Sequence, residues 1–129
     1  MKLTSILGLA TLAMAVVPPS LAQNGNLDGR SFHGVFLERG KTSGDADTLI
    51  FKDGRFRSIA CDQYGYSDAS YKTAAVGDAV RFEAETESAK YGKLLWNGVI
   101  RGGKLDATAM MVRSGEAPIE NWVVAAEKN

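Results

Sequence analysis

The only cysteine and the only histidine of the chain are its best candidates for nucleophilic chemistry. Cys61 and His33 could form a thiolate–imidazolium pair, which requires the sulfur and a ring nitrogen within hydrogen-bonding distance. No nucleophile motif surrounds Cys61, so the alternative is a small, half-buried thiol without a catalytic role. One cysteine also excludes an intramolecular disulfide, and one cysteine with one histidine excludes the structural zinc patterns.

Carboxylates and methionines offer two candidate metal sites, and neither matches a known ligand pattern. Asp45 and Asp47, with Asp53 nearby, provide oxygen ligands, but calcium requires six or more and the EF-hand glycine and closing glutamate are missing. Met110 and Met111 could bind copper, but neighbours on a strand point to opposite faces. The sequence contains no Ser-His-Asp arrangement, phosphate-binding loop or haem-attachment motif. We therefore predict no catalytic residues, no metal site and no cofactor.

A tyrosine-rich stretch between Cys61 and Tyr71 is the most unusual feature of the sequence. Tyrosine combines an apolar ring with a polar tip, which suits the rim of a pocket or a protein interface. The alternative is a connecting loop held in place by the packing of its own tyrosine rings. On the first interpretation, the predicted ligand-binding residues are the tyrosines of this stretch and aromatic residues of neighbouring segments: Tyr64, Tyr66, Tyr71, Trp96, Phe56 and Phe82.

The N-terminal residues have the features of a secretory signal peptide. Met1-Lys2 gives a positive start, and Leu3–Val17 is an apolar run that Pro18-Pro19 ends. Ser20-Leu21-Ala22 places small residues at positions −3 and −1 of a cleavage site. The alternative, a membrane anchor, is disfavoured because the apolar run is shorter than the ~20 residues that a spanning helix needs. We therefore predict a cleaved signal peptide over residues 1–22.

The rest of the chain has the composition of one ordinary globular domain. Residues 23–30 are rich in Gly, Asn and Asp and are expected to form a flexible lead-in to a single domain over residues 31–129. Lys+Arg and Asp+Glu are both 15, so the formal net charge of zero offers no electrostatic footprint for nucleic acid. We predict a periplasmic or secreted monomer that does not insert stably into a membrane after signal cleavage.

Short apolar segments separated by turn residues predict a series of strands. Asp53-Gly54, Gly77-Asp78 and Gly102-Gly103 are two-residue connections typical of tight antiparallel hairpins. Tyr91-Gly92 is expected to make a similar turn, and one short helical turn is expected within residues 62–70. The eight predicted strands are Ser31–Glu38, Asp47–Lys52, Arg55–Cys61, Tyr71–Val76, Ala79–Ser88, Lys93–Arg101, Lys104–Arg113 and Ile119–Glu127.

The alternation of side chains along these segments indicates one dry and one wet face. In Ala79–Ser88, apolar or small residues alternate with charged ones, which is the period of a half-buried strand. Closing the meander into an up-and-down barrel hides every strand edge, whereas the alternative, a two-sheet sandwich, leaves edges exposed. We therefore predict an all-β, eight-stranded antiparallel up-and-down barrel, whose inward side chains include Phe56, Ser58, Ala60, Val80, Phe82, Ala84, Leu105, Ala107, Ala109 and Met111.

This meander of hairpins after a signal peptide resembles the calycin barrels, which include lipocalins, fatty-acid-binding proteins and avidin-like proteins. The resemblance is one of architecture and covers nearly all of the domain. Lipocalins open with a Gly-x-Trp motif near the first strand, whereas Gly29-Arg30-Ser31-Phe32 has phenylalanine in place of tryptophan at a different spacing. The resemblance implies a calycin-like or lipocalin-like small bacterial envelope protein.

Three functions are open at this point. The first is an exported, non-enzymatic binding module that accepts a small apolar or amphipathic molecule at the barrel mouth. An eight-stranded barrel is either filled by side chains or wide enough for one small ligand, and the sequence leaves both states open. The second is a protein-interaction module, an envelope inhibitor or assembly partner, built on a filled barrel. The third is an enzyme that uses Cys61 and His33.

Overall fold

The computed structural model describes residues 22–23 and 27–129, which form nine strands and one short 3-10 helix. The predicted signal peptide, except for Ala22, lies outside the described residues. The 3-10 helix spans Ile59–Tyr64. The strands are β1 (Ala22–Gln23), β2 (Ser31–Glu38), β3 (Asp45–Lys52), β4 (Arg55–Ser58), β5 (Ala69–Val76), β6 (Ala79–Ser88), β7 (Gly92–Arg101), β8 (Lys104–Val112) and β9 (Ile119–Glu127).

Strands β2 to β9 form a closed, antiparallel, up-and-down barrel, which confirms the predicted architecture. Each strand pairs with its neighbour in the chain, and β9 returns to pair with β2 from Phe32↔Glu127 to Glu38↔Asn121. The β4–β5 pairing is the shortest in the ring, with two residue pairs. β1 lies outside the ring and pairs with β5 beside it. The closed ring is consistent with a calycin-like architecture and removes the edges that a sandwich would expose.

The predicted hairpin turns are present, with one difference. Asp53 and Gly54 both have positive φ, 53° and 75°, as a type I′ turn requires. Gly77 and Gly102 each have φ 61° and occupy the first turn position of their hairpins. The prediction for the β6–β7 connection was wrong, because Ser88 pairs with Gly92 and the loop between them has three residues.

The strand predicted over Arg55–Cys61 ends earlier than expected, because a buried carboxylate forms hydrogen bonds with its last residues. β4 stops at Ser58, and the chain then turns into the 3-10 helix. Asp47 on β3 accepts hydrogen bonds from the Ser58 hydroxyl at 2.6 Å and the Ala60 backbone N–H at 2.9 Å. These bonds replace the strand ladder at this point, so the prediction of a strand at residues 59–61 was wrong.

Aromatic rings fill one half of the barrel interior. Phe51 lies at the centre, with ring centroids 5.0 Å from both Tyr71 and Phe82 and 5.2 Å from Phe56. Trp96, whose direction the alternation left open, also points inward, and its indole N–H donates to Thr86 Oγ1 at 3.1 Å. All ten side chains predicted to point into the barrel are buried or half-buried, which agrees with the prediction.

Residues 27–30, part of the predicted lead-in, are packed against one end of the barrel. Leu27 is fully buried, and the Asp28 carboxylate accepts hydrogen bonds from the Gly54 N–H and the Tyr71 hydroxyl. Arg30 makes a two-pronged ion pair with Glu127 at 2.8 Å. The folded domain therefore begins at or before Leu27. We call this the closed end, and it also carries the two-residue turns at 53–54, 77–78 and 102–103.

The opposite end of the barrel, which we call the mouth, carries the longer connections. These are the 3-10 helix with the chain that follows it to β5, and the loops at residues 39–44, 89–91 and 113–118. Short turns at the closed end allow the aromatic core to seal it, whereas the longer connections leave room between the strands at the mouth.

Candidate functional site

A cavity of about 540 Å³ opens at the mouth of the barrel, above the aromatic core. Phe36 lies at its base, and the Phe36 ring lies 6.0 Å from the buried Trp96 ring, so the filled and hollow halves meet here. The cavity is lined by residues of five barrel strands, the 3-10 helix and the mouth loops: Phe36, Leu37, Glu38, Lys41, Ser43, Gly44, Asp45, Ala60, Cys61, Tyr64, Tyr66, Tyr91, Leu94, Met111 and Asn121.

One side of the cavity carries hydrogen-bond acceptors. Asp45 on β3 is paired with Phe36 on β2, and Glu38 on β2 is paired with Asn121 on β9. Cross-strand partners share a face of the sheet, so both carboxylates lie on the inner face with Phe36 and the buried Asn121. We call Asp45, Glu38 and Asn121 the acceptor wall.

Asn121 is 5% exposed, and only one of the two polar atoms of its side-chain amide has a hydrogen-bond partner among the described residues. Its amide nitrogen donates to the Ala109 carbonyl at 3.1 Å, whereas its amide oxygen accepts no hydrogen bond from any residue that the structure describes. Within residues 27–129, Glu38, Asp45 and Lys41 also have no ion-pair partner. The residues that the structure describes therefore leave the acceptor wall able to accept hydrogen bonds from a further group.

The side of the cavity formed by β7 and β8 is apolar. Leu94 on β7 is fully buried, and it is paired across the sheet with the half-buried Met111 on β8. Together with Phe36 they provide a surface on which an apolar group can displace water. We call Leu94, Met111 and Phe36 the apolar wall.

Tyrosine side chains form the rim of the cavity. The tyrosine-rich stretch is both the rim of a pocket and a loop held in place by its own rings, so both interpretations of it apply. The Tyr64 and Tyr91 rings pack edge to face with centroids 5.7 Å apart, and the Tyr66 hydroxyl donates to the Tyr91 carbonyl at 3.4 Å. The Ser88 hydroxyl also holds this stretch by donating to the Tyr64 carbonyl at 2.7 Å. Tyr64 nevertheless remains 44% exposed. The packing of the tyrosine rings therefore holds the rim in place, and the same rings still line the cavity.

Cys61 lies in the cavity wall within a buried polar cluster. The Ser58 oxygen lies 2.6 Å from Asp47 Oδ2 and 3.2 Å from Cys61 Sγ, so its single proton goes to the carboxylate and the thiol donates to the hydroxyl oxygen. Burial raises the pKa of Cys61 to about 11 and also raises the pKa of Asp47 above its ordinary value. The thiol is therefore neutral and a weak nucleophile at neutral pH.

His33 and Cys61 lie on opposite faces of the barrel wall. His33 is exposed on β2, and its ring nitrogen Nδ1 lies 2.9 Å from the hydroxyl of Thr48 on the neighbouring strand. Asp47, the next residue along β3, points inward to the Cys61 cluster. The structure does not bring the two residues of the predicted thiolate–imidazolium pair together.

The six residues predicted to bind a ligand divide between the two halves of the barrel. Tyr64 and Tyr66 line the cavity. Phe56, Phe82 and Tyr71 are fully buried in the aromatic core, and Trp96 supports the cavity base from behind Phe36. Sequence reasoning did not predict the other lining residues as ligand contacts, although the alternation of β2 and β3 carried a signal for the first three of the following: Phe36, Glu38, Asp45, Leu94 and Asn121.

Comparison with protein-family models, with curated proteins and with solved structures finds no match to this chain. Across the described ranges, no helix has the length and hydropathy that crossing a membrane requires. Among the same residues, no group of three or more His, Cys, Asp and Glu side chains is arranged to hold a metal ion. The candidate site is therefore characterised by the lining of the mouth cavity alone.

Proposed function

We propose that this protein is an exported, non-enzymatic binding module that holds one small apolar or amphipathic molecule in its mouth cavity. The observation that carries the proposal is the cavity of about 540 Å³ between an apolar wall and an acceptor wall. Small-molecule sites in proteins typically have volumes of about 300–1,000 Å³, with mostly apolar linings and a few placed polar groups. Export to the periplasm or the medium, and kinship with calycins, are parts of this proposal.

The chemistry of the lining favours binding over catalysis. The nucleophile in the wall, Cys61, is a neutral thiol whose nearest polar partner is the Ser58 hydroxyl. No imidazole reaches it, since His33 bonds to Thr48 on the outer face. A nucleophile without a neighbouring base is not activated for covalent catalysis.

Intrinsic fluorescence provides a direct test, because the sequence has two tryptophans and one lies behind the cavity. In a Trp122→Phe background, Trp96 becomes the sole tryptophan. Titration with N-phenyl-1-naphthylamine, a neutral lipophilic probe, is expected to give saturable energy transfer from Trp96 and a rise in Tm. Absence of both signals would overturn the proposal.

A cavity-filling variant localises the probe. Met111→Phe places a larger side chain in the cavity and is expected to weaken probe binding severalfold. The matched control is Val124→Phe, which adds a ring on the outer wall where Val124 is 56% exposed. Equal affinities of both variants would show that the probe binds elsewhere.

A protein-interaction module is the second candidate, and a different observation favours it. Outward apolar side chains lie next to each other on β2 and β9, where Val35 is paired with Val124 and Trp122 is 44% exposed two residues before Val124. Exposed apolar patches on soluble proteins mark interaction surfaces when they are extensive. A photo-crosslinking residue at position 122, compared with one at Lys52, tests it: adducts specific to position 122 in the producing cell support it, and equal labelling contradicts it.

A further inference from the structure

We propose that the mouth cavity selects amphipathic cations: ligands with a protonated amine at the acceptor wall and an apolar body against Leu94 and Met111. This inference rests on the proposed function and adds the charge of the ligand to it. Three observations carry it, namely the register of the acceptor wall, the unsatisfied amide oxygen of Asn121, and the balance of charges in the lining.

The strand register points both carboxylates into the barrel. Asp45 is the partner of Phe36, and Glu38 is the partner of Asn121, so all four side chains share the inner face at the mouth. The acceptors therefore lie on three consecutive strands, β3, β2 and β9. Acceptors arranged around one side of a cavity suit a head group with several N–H donors, as an ammonium has.

The buried amide of Asn121 requires a donor. Its nitrogen is used by the Ala109 carbonyl, which fixes the oxygen as the remaining group. That oxygen belongs to a residue 95% removed from solvent, and buried acceptors normally have a partner. A ligand that brings N–H groups satisfies it, whereas a ligand with a carboxylate places an acceptor against an acceptor.

The charges of the lining favour a cation over an anion. Glu38 and Asp45 are acidic and Lys41 is basic, so the lining carries a formal charge of −1. The two carboxylates belong to strand residues whose inward direction is set by the register. Lys41 belongs to the exposed loop at residues 39–44 and also lines the cavity, so it offsets one of the two carboxylates. Asp47, buried next to this wall and held by Ser58, adds negative potential from behind.

The experiment compares three ligands that share one apolar chain: decylamine, decan-1-ol and decanoate. All are titrated below their aggregation concentrations at pH 7 and low salt, with Trp96 fluorescence in the Trp122→Phe protein and Tm as readouts. Because a partly exposed ion pair contributes modestly, decylamine is expected to bind about fivefold more tightly than decan-1-ol, and decanoate more weakly than both.

Neutralising the carboxylates locates the effect. The double variant Glu38→Gln/Asp45→Asn is expected to lose about fivefold in affinity for decylamine while its affinity for decan-1-ol stays within about twofold. The matched control is Asp106→Asn, which removes an exposed carboxylate on the outer wall and should leave all three affinities unchanged.

The outcomes separate this inference from the proposed function. If decan-1-ol binds as tightly as decylamine, or decanoate binds best, the cation preference is wrong and the binding module stands. If the double variant binds decylamine as the parent does, the acceptor wall is not the head-group site. If none of the three binds, the proposed function fails and the cation preference fails with it.

Discussion

Asp47 shows how one buried carboxylate sets the local structure of the mouth. It is 2% exposed on the inner face of β3, yet it accepts hydrogen bonds from the Ser58 hydroxyl and the Ala60 N–H. These contacts hold the start of the 3-10 helix that carries Cys61 and Tyr64 to the cavity. Burial raises the pKa of Asp47, because desolvation of the carboxylate outweighs its hydrogen bonds.

Replacing Asp47 with Asn should change how stability depends on pH. The native pKa is above the unfolded value, so between the two the folded state binds more protons and the free energy of unfolding falls as pH rises. We expect the parent to show this loss from about pH 4 up to the raised native pKa, and Asp47→Asn to lack it. Urea unfolding across that range measures the difference, with Asp106→Asn as the exposed-carboxylate control. Parallel profiles for the parent and Asp47→Asn would contradict the assignment.

At the scale of strands, glycine decides where the barrel can close around its aromatic core. Gly98 on β7 has an ordinary φ, but a Cβ there would lie 2.4 Å from Cε1 of Phe82 and 2.9 Å from the Ala107 methyl group. Gly34 on β2 is tighter still, since its Cβ would lie 1.9 Å from the Val124 carbonyl oxygen on β9. These glycines are needed for close approach rather than for an unusual backbone conformation.

Gly98→Ala should therefore destabilise the barrel by about 1–3 kcal/mol, the typical cost of overpacking a core. The matched control is Gly103→Ala, where the nearest atom to the added Cβ is Glu127 Cβ at an ordinary 3.6 Å. The control should be neutral or slightly stabilising, because alanine restricts the unfolded chain. Urea denaturation of both variants measures the difference, and equal midpoints would show that the Phe82 ring moves aside without cost.

The sequence could predict the strands and their faces, but not the position of the cavity. Period-two alternation in β6 and β8 and the Gly-containing turns were enough to predict the strands, their faces and the closed meander. The cavity depends on pairings such as Phe36 with Asp45: alternation within each strand can indicate that these residues point inward, but it does not show that they are partners. Phe56 and Phe82 were predicted as ligand contacts because alternation shows that a residue points inward, but not at which end of the lumen it lies. Tyr71 was included as part of the tyrosine-rich stretch.

At the scale of the whole molecule, the barrel divides into a filled closed end and a hollow mouth. Phe51 contacts four aromatic rings in the filled half. The tight turns, the Arg30–Glu127 ion pair and the Asp28 hydrogen bonds all belong to the closed end. The mouth has an open cavity and longer connections, so stability should be unevenly distributed along the barrel axis.

Large-to-small substitutions test this distribution. Phe51→Ala should cost about 3–5 kcal/mol, because it opens a void among rings that cannot collapse into it. Met111→Ala should cost roughly 1 kcal/mol, because Met111 already faces the cavity and its removal creates no enclosed void. Urea unfolding of each variant gives the comparison. Equal losses would mean that the mouth is as tightly packed as the closed end.

The placement of Trp96 has a practical consequence. Its indole belongs to the rigid base, yet one ring, Phe36, separates it from whatever occupies the space above. Glu38, Asp45 and Asn121 line the cavity above that base, so they can be varied as a set without replacing any ring of the aromatic core. With Trp122 removed, the protein becomes a scaffold for sensors: new ligand specificities are selected at the cavity lining, and binding is detected by the fluorescence of Trp96 beneath it.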